Sequence, residues 1–304
     1  MTHGKSIRLF LADGAPTGII TAEIVNWTGH VLSAPRAKLS SLLKREECRK
    51  TGIYFLVSEN LEPPFYPNVY IGESDDVAKR LEQHNRENAK GGKDFWEKVC
   101  LITSKDQNLT KAHIRYLEKQ LIEMAKISGR CQLHNGTEGF MNILLPEADV
   151  SAMEYFLEQI LVLLPVLGYD FLAKKREQIL DVDSKKDGPL YTIEKKDTVY
   201  AKAIEEDGAF IVLKGSRVSS EITTGSQGKG YLRDLRPYLF ETGIINSETY
   251  EFTEDYQFKS PSAAATIVLG RAANGRTEWR ELNTNRTYAQ VQEANVEETL
   301  KNNQ

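Results

Sequence analysis

Between Asp181 and Pro189 the chain reads DVDSKKDGP, nine residues whose charge, glycine and proline suit a linker and not a core. This run divides 304 residues into two stretches, each long enough to bury a core of its own. With 40% hydrophobic, 9% aromatic and 27% charged residues, the chain has the makeup of a globular protein. That excludes a disordered tail, a collagen and a disulfide-stapled miniprotein. The longest apolar run, Ile160 to Tyr169, contains Pro165 and Gly168 and falls well short of the roughly 20 residues a bilayer span requires. No membrane partner is expected. Ile7 to Ala12 is too short for a signal-peptide core and alternates like a strand. Cys48, Cys100 and Cys131 stand far apart with no CxxC, which suggests reduced thiols in a cytoplasm and not a disulfide framework or structural zinc.

The net charge of −4 is unevenly spread. Residues 1–135 carry 20 Lys and Arg against 16 Asp and Glu, a net of +4, while residues 136–304 carry 19 against 27, a net of −8. A polyanion-binding surface is therefore expected on the first half. The chain opens with strands at Ile7–Ala12, Gly18–Val25 and Val31–Ser33, the first two joined by Asp13-Gly14. Leu39, Leu42 and Leu43 then suggest a helix from Ala37 to Lys50, its other face basic.

Strands are expected at Gly52–Val57, Asn68–Ile71 and Val99–Thr103, with a loop carrying Pro63, Pro64 and Pro67 after the first. Ser74 or Asp75 can cap a helix to Glu87, and Thr110 can cap a long helix stopping at Gly129. Ser151 and Glu154 have capping-box spacing for a second long helix, whose Phe156, Ile160, Leu163, Leu164 and Leu167 form a stripe expected to join two units. Beyond the linker come a hairpin about Glu206-Asp207-Gly208, a helix over Tyr231–Phe240, a helix from Ser260-Pro261 to Gly270 and a last strand near Glu278–Leu282. The final dozen polar residues read as frayed.

Within the helix from Thr110 to Gly129, about 100° per residue places Leu117, Leu121, Ile114, Ala125 and Ile122 on one arc. Glu118 falls inside that arc. A carboxylate there must lie at a cleft edge, pair with Arg or Lys, or hold a metal, because burying it alone is costly. On the preceding helix Arg80 and His84 are neighbours by i,i+4 spacing. They form either a solvated flank or a phosphate clamp, a guanidinium fork beside an imidazole that can exchange a proton. Gly52-Ile53-Tyr54 and Tyr70-Ile71-Gly72 would bring two phenols together if their strands are adjacent.

Taken in that order, these residues resemble the GIY-YIG nuclease family. The resemblance covers residues 52–135, over a quarter of the chain, and rests on Gly52–Tyr54, Tyr70–Gly72, Lys79-Arg80-Leu81 with His84, Leu117-Glu118 and Asn135. It implies a small mixed sheet with flanking helices that cuts phosphodiesters with one divalent metal. By that match Glu118 ligates Mg²⁺ or Mn²⁺, and Tyr54 positions or deprotonates the attacking water with Tyr70 and His84 assisting. Arg80 stabilises the pentavalent phosphate, and Asn135 supports the site. A tyrosine of pKa about 10 is a poor base at neutral pH unless a cation lowers it, so the role of Tyr54 is the harder one to supply.

Fifteen residues, Phe55 to Val69, separate the two strings, more than the family commonly has. Glu73 follows the second string, where it can join the metal shell, repel a phosphate or cap the next helix. Ser260–Ala265, Val268–Arg271, Ala273–Arg276 and Trp279 resemble a module of unknown function often found behind such nucleases. Lys229, Arg233, Arg236, Arg271, Arg276 and Arg280 are candidates there either for a nucleic-acid backbone or for ordinary surface contacts.

The expected chain is α+β: a β-rich extension (1–50), a GIY-YIG unit (51–146), a helical connector and linker (147–185) and a small α+β domain (186–304). The expected activity is metal-dependent endonucleolytic cleavage of nucleic acid, DNA ahead of RNA. A catalytically inactive nucleic-acid-binding module and a protein-interaction scaffold are the alternatives.

Overall fold

Alternating β-branched and aromatic residues build a seven-stranded sheet, beginning with β1 (Ile7–Leu11), β2 (Ile20–Ile24) and β3 (Gly29–Pro35). The computed structural model describes residues 4–59, 66–87, 89, 91–136, 144–173, 189–195, 199–206, 208–223 and 230–302. Most of the linker run at 181–189, Asp207 of the hairpin turn, Pro63, Pro64 and Lys229 lie outside them. The chain divides into two compact units, one holding the described residues up to 173 and the other those from 189 onward.

The expected helix over 37–50 is only one α-turn, α1 (Leu39–Leu42), followed by a 3₁₀ turn at Glu46–Arg49. Leu39, Leu42 and Cys48 are all buried in one cluster, and a straight helix would turn Cys48 away from the two leucines. The chain then runs through β4 (Gly52–Ser58), β5 (Asn68–Ser74), α2 (Val77–His84), β6 (Lys98–Ser104), α3 (Lys111–Ser128), β7 (Gln132–Leu133) and α4 (Glu147–Val166).

The strand order is β1-β2-β3-β6-β4-β5-β7, antiparallel except for the β5–β7 pair. All seven residues of β4 are buried, as a central strand covered on both faces requires. β3 and β6 pair from Gly29–Ser104 to Pro35–Lys98, so the β-rich opening is the outer part of this same sheet. On one face Ile53, Phe55, Ile71 and Ile102 meet Ile114, Leu117 and Leu121 of α3 and Phe156, Ile160 and Leu163 of α4. The α4 stripe thus completes the core of the first unit. On the other face Tyr54, Leu56 and Leu101 pack with Val77, Ala78 and Leu81 of α2 and with Trp96.

Thr110 caps α3 in a capping box with His113, and Gly129 ends it in the left-handed region at φ 60°. The cap of α2 is Asp76, whose carboxylate accepts from Lys79 N at 3.1 Å, one residue beyond the expected Asp75. α4 begins after Pro146, four residues before Ser151, with Glu147 and Asp149 complementing its N-terminal dipole.

The second unit is α+β. It contains β8 (Leu190–Lys195), β9 (Val199–Glu206), β10 (Ala209–Val212), α5 (Gly230–Arg233), α6 (Leu235–Glu241), β11 (Tyr256–Phe258), α7 (Pro261–Leu269), α8 (Gly275–Glu278), β12 (Arg280–Glu281) and α9 (Tyr288–Asn302). Its sheet runs β11-β10-β9-β8-β12. Ser260 caps α7 with Pro261 in its first turn, and Gly270 closes it at φ 63°. Through Asn302 the polar C-terminal stretch is helical and not frayed, and Tyr288 and Val291 at its start bury against the unit. Among the described residues no helix is long and apolar enough to cross a membrane, and the three cysteines are free.

Candidate active site

β4 and β5 lie side by side with Tyr54 opposite Gly72 and Leu56 opposite Tyr70. The register explains the second glycine: the Tyr54 phenol lies over Gly72, and a Cβ there would overlap the ring. Gly52 meets a similar limit, since its Cβ would press on the Ile102 carbonyl.

Tyr54 and Tyr70 stand on the α2 face with ring centroids 6.2 Å apart. α2 brings His84 between them, 5.5 Å from the Tyr54 ring and 5.3 Å from the Tyr70 ring. The Tyr54 hydroxyl and His84 Nε2 share a hydrogen bond of 2.8 Å, both residues being fully or nearly fully buried. His84 Nδ1 is buried with no partner among the described residues.

Burial and then the cations Arg80 and Lys93 depress the imidazole to about 4, so His84 is neutral. Burial raises the Tyr54 phenol above its ordinary value, Tyr70 adding to the rise and Arg80 opposing it. Burial works against the Arg80 guanidinium, yet the phenols of Tyr54 and Tyr70 beside it prevail and raise its pKa. Arg80 Nη1 also donates to Gln83 Oε1 at 2.9 Å. Lys93 was not singled out from the sequence, where it follows Gly91-Gly92 without periodic signal; its ammonium sits 4.1 Å from the centre of the Tyr70 ring.

Asn135 fastens the strand that carries this cluster. Its Oδ1 accepts from Ile71 N at 3.0 Å and its Nδ2 donates to Ile71 O at 2.7 Å. The side-chain amide thereby continues the sheet where β7 stops.

The carboxylates form a second group on the α3 side. Glu73 pairs with Lys111 at 2.6 Å and lies 3.7 Å from Arg115, so it does not cap α2. Glu118 is half-buried beside Glu73, and among the described residues no cation pairs with it. Burial and the Glu73 charge raise its carboxyl to about 7. Among the described residues the structural pair with Arg or Lys, one of the sequence expectations for Glu118, is therefore absent: Lys111 pairs with Glu73 and Asp75, Arg115 lies by Glu73, and the two cations only partly offset the rise at Glu118. Tyr54, Tyr70, Arg80 and His84 are brought together, and Glu118 meets Glu73 on β5, the strand that also carries Tyr70 and Gly72.

In the second unit Arg233, Arg236 and Arg271 make internal contacts. Arg236 is buried and donates to the carbonyls of Ile267 and Ser219. Arg233 pairs with Asp234, and Arg271 with Glu278 at 2.7 Å.

No curated protein and no solved structure matches the chain. Two family models do: residues 50–127 match the GIY-YIG catalytic domain, and residues 191–292 match a domain of unknown function, DUF4357. The first match contains Tyr54, Tyr70, Arg80, His84 and Glu118; Asn135 lies beyond it. The chain thus carries a GIY-YIG domain, a nuclease-type fold, followed by a DUF4357 module.

Proposed function

We propose that the first unit is an endonuclease that hydrolyses phosphodiester bonds of nucleic acid, DNA ahead of RNA, with Mg²⁺ or Mn²⁺ held at Glu118. The observation that carries this reading is the grouping of Tyr54, Tyr70, Arg80, His84 and Lys93, in which neither cation pairs with a carboxylate among the described residues.

The Glu118 carboxylate suits a hard divalent cation. It is half-buried, pairs with no cation among the described residues and is raised to about 7, a strain that a bound cation would relieve. Among the described residues no three His, Cys, Asp or Glu side chains cluster as a multidentate site. Mg²⁺ nonetheless keeps several waters and needs only one or two carboxylates. When bound, such an ion supplies charge neutralisation for the phosphoryl and leaving oxygens.

The remaining work falls to the chain's own groups. Arg80 and Lys93 receive the phosphoryl oxygens, Arg80 through its fork and Lys93 as a point charge. The Tyr54 phenol stays protonated at neutral pH, so it acts as a conduit: its oxygen takes the proton of the attacking water as its own proton passes to His84 Nε2 at 2.8 Å. His84 is a weak acceptor while Arg80 and Lys93 face it uncompensated. A phosphate held by those cations offsets their charge and strengthens the imidazole as a base.

The test is cleavage of supercoiled plasmid with Mg²⁺ or Mn²⁺ by wild type, Glu118→Ala and Arg80→Ala. Nicking that needs the metal and is lost in both variants is expected. The second reading, a binding module that retains the fold without cutting, draws on the burial of the Tyr54 phenol, which raises its pKa and makes it a poor base. Folded wild type that binds but leaves plasmid, branched DNA and RNA intact would establish it instead.

A further inference from the structure

One exposed aromatic ring beside the phenol cluster has no part in the reaction above. His134 is exposed, yet it is held on three sides. Its backbone N donates to Val69 O at 2.8 Å, and its Nε2 bonds Asn68 Oδ1 at 3.0 Å. One face of the imidazole lies flat on Phe95, centroids 4.4 Å apart and planes 16° from parallel. The next residue, Asn135, bonds both backbone groups of Ile71, so the ring stands in fixed register with Tyr70 and Gly72. Lys93 connects the two sites, lying over the Tyr70 ring and close enough to His134 to depress its pKa along with burial. Burial and then the Lys93 ammonium both work against a charge on this imidazole.

We propose that the outer face of His134, backed by Phe95, is a stacking platform for one unpaired nucleobase flanking the scissile phosphate, the phosphate that Lys93 helps to hold. A flat ring fixed before binding loses little freedom when a base settles on it, and every base has a π-face to offer. A base inside a duplex is already stacked on both faces and cannot use the platform without leaving the helix. The platform therefore selects single-stranded or locally opened substrate, and the inference rests on the nuclease reading of the neighbouring cluster.

The experiment uses the full chain in EDTA, where metal-dependent cleavage is off, and two fluorescein-labelled probes, a single-stranded and a duplex oligonucleotide. Wild type is compared with His134→Ala and His134→Trp, each checked for an unchanged melting curve. Loss of the platform is expected to weaken single-strand binding about tenfold, within the range alanine substitution gives for base stacking, and duplex binding by less than about twofold. The tryptophan variant restores single-strand binding. A 2-aminopurine in the single-stranded probe is expected to lose emission on wild type and His134→Trp but not on His134→Ala, a signature that a merely structural His134 would not produce.

Equal single-strand affinity of wild type and His134→Ala, or equal quenching by both, overturns the platform. If plasmid is still cut in Mg²⁺, the nuclease reading survives that result. A wild type that neither binds either probe nor cuts plasmid overturns both.

Discussion

Glu118 is the residue whose environment has the clearest measurable consequence. Burial and Glu73 raise its carboxyl from 4.5 to about 7, so the folded chain retains a proton that the unfolded chain loses between those values. The unit therefore loses stability as pH climbs from about 4.5 to about 7. Glu118→Gln has no such proton to lose. Discounted for the solvent that reaches this half-buried group, the variant is expected to be more stable than wild type by on the order of 1 kcal/mol at pH 8, and equal to it near pH 4. Thermal melts across that range check this, and saturating Mg²⁺ should raise the pH 8 melting temperature of wild type alone. Tyr54→Phe tests the other group. It removes the hydroxyl bonded to His84 and should cut the cleavage rate by about 10²-fold or more, the range of a lost proton-transfer partner. It also leaves His84 Nε2 buried without a bond, costing about 1–3 kcal/mol in a denaturant titration.

At the scale of elements, β5 organises the site, and its two anchors differ in kind. Gly72 makes room for the Tyr54 ring, whereas Asn135 supplies the hydrogen bonds a neighbouring strand would have made to Ile71. Asn135→Ala leaves both Ile71 backbone groups unsatisfied and is expected to cost about 1–3 kcal/mol, with loss of activity as Tyr70 and Glu73 shift, read by melting and plasmid nicking together. The helices were legible where a stop signal coincided with hydrophobic periodicity. Thr110 and Gly129 bound α3, and Ser260 and Gly270 bound α7, as their chemistry dictates. Legibility failed where burial overrode the local pattern. Cys48 pulled the 37–50 segment out of a single helix, and Tyr288 and Val291 ordered a polar tail. Of the candidate site, the spatial grouping of Tyr54, Tyr70, Arg80 and His84 was readable because i,i+4 spacing and strand adjacency are short-range. The contacts of Lys93 with Tyr70 and of Lys111 with Glu73 cross between elements and leave no periodic trace.

For the whole molecule, the unit that must fold is larger than the region whose motifs identify it. Residues 51–146 hold every candidate catalytic side chain, but neither β3 nor α4. Without β3, the β6 edge loses a seven-residue partner and is left open to aggregation. Without α4, the sheet face loses the cover of Met153, Phe156, Leu157, Ile160, Leu163 and Leu164. Burial of side chains of this size is worth about 1.5–3 kcal/mol each, so their removal forfeits on the order of 10 kcal/mol, comparable with the whole stability of a domain at about 5–15 kcal/mol. A fragment of residues 51–146 is therefore expected not to fold, whereas one of residues 1–173 melts cooperatively. Tyr169, Phe171 and Leu172 also belong to this core, so an end point at 166, the last residue of α4, should melt lower than one at 173. Circular dichroism melts of the three fragments decide the matter. A cooperative transition for residues 51–146 would mean that the core of the first unit is smaller than its packing indicates.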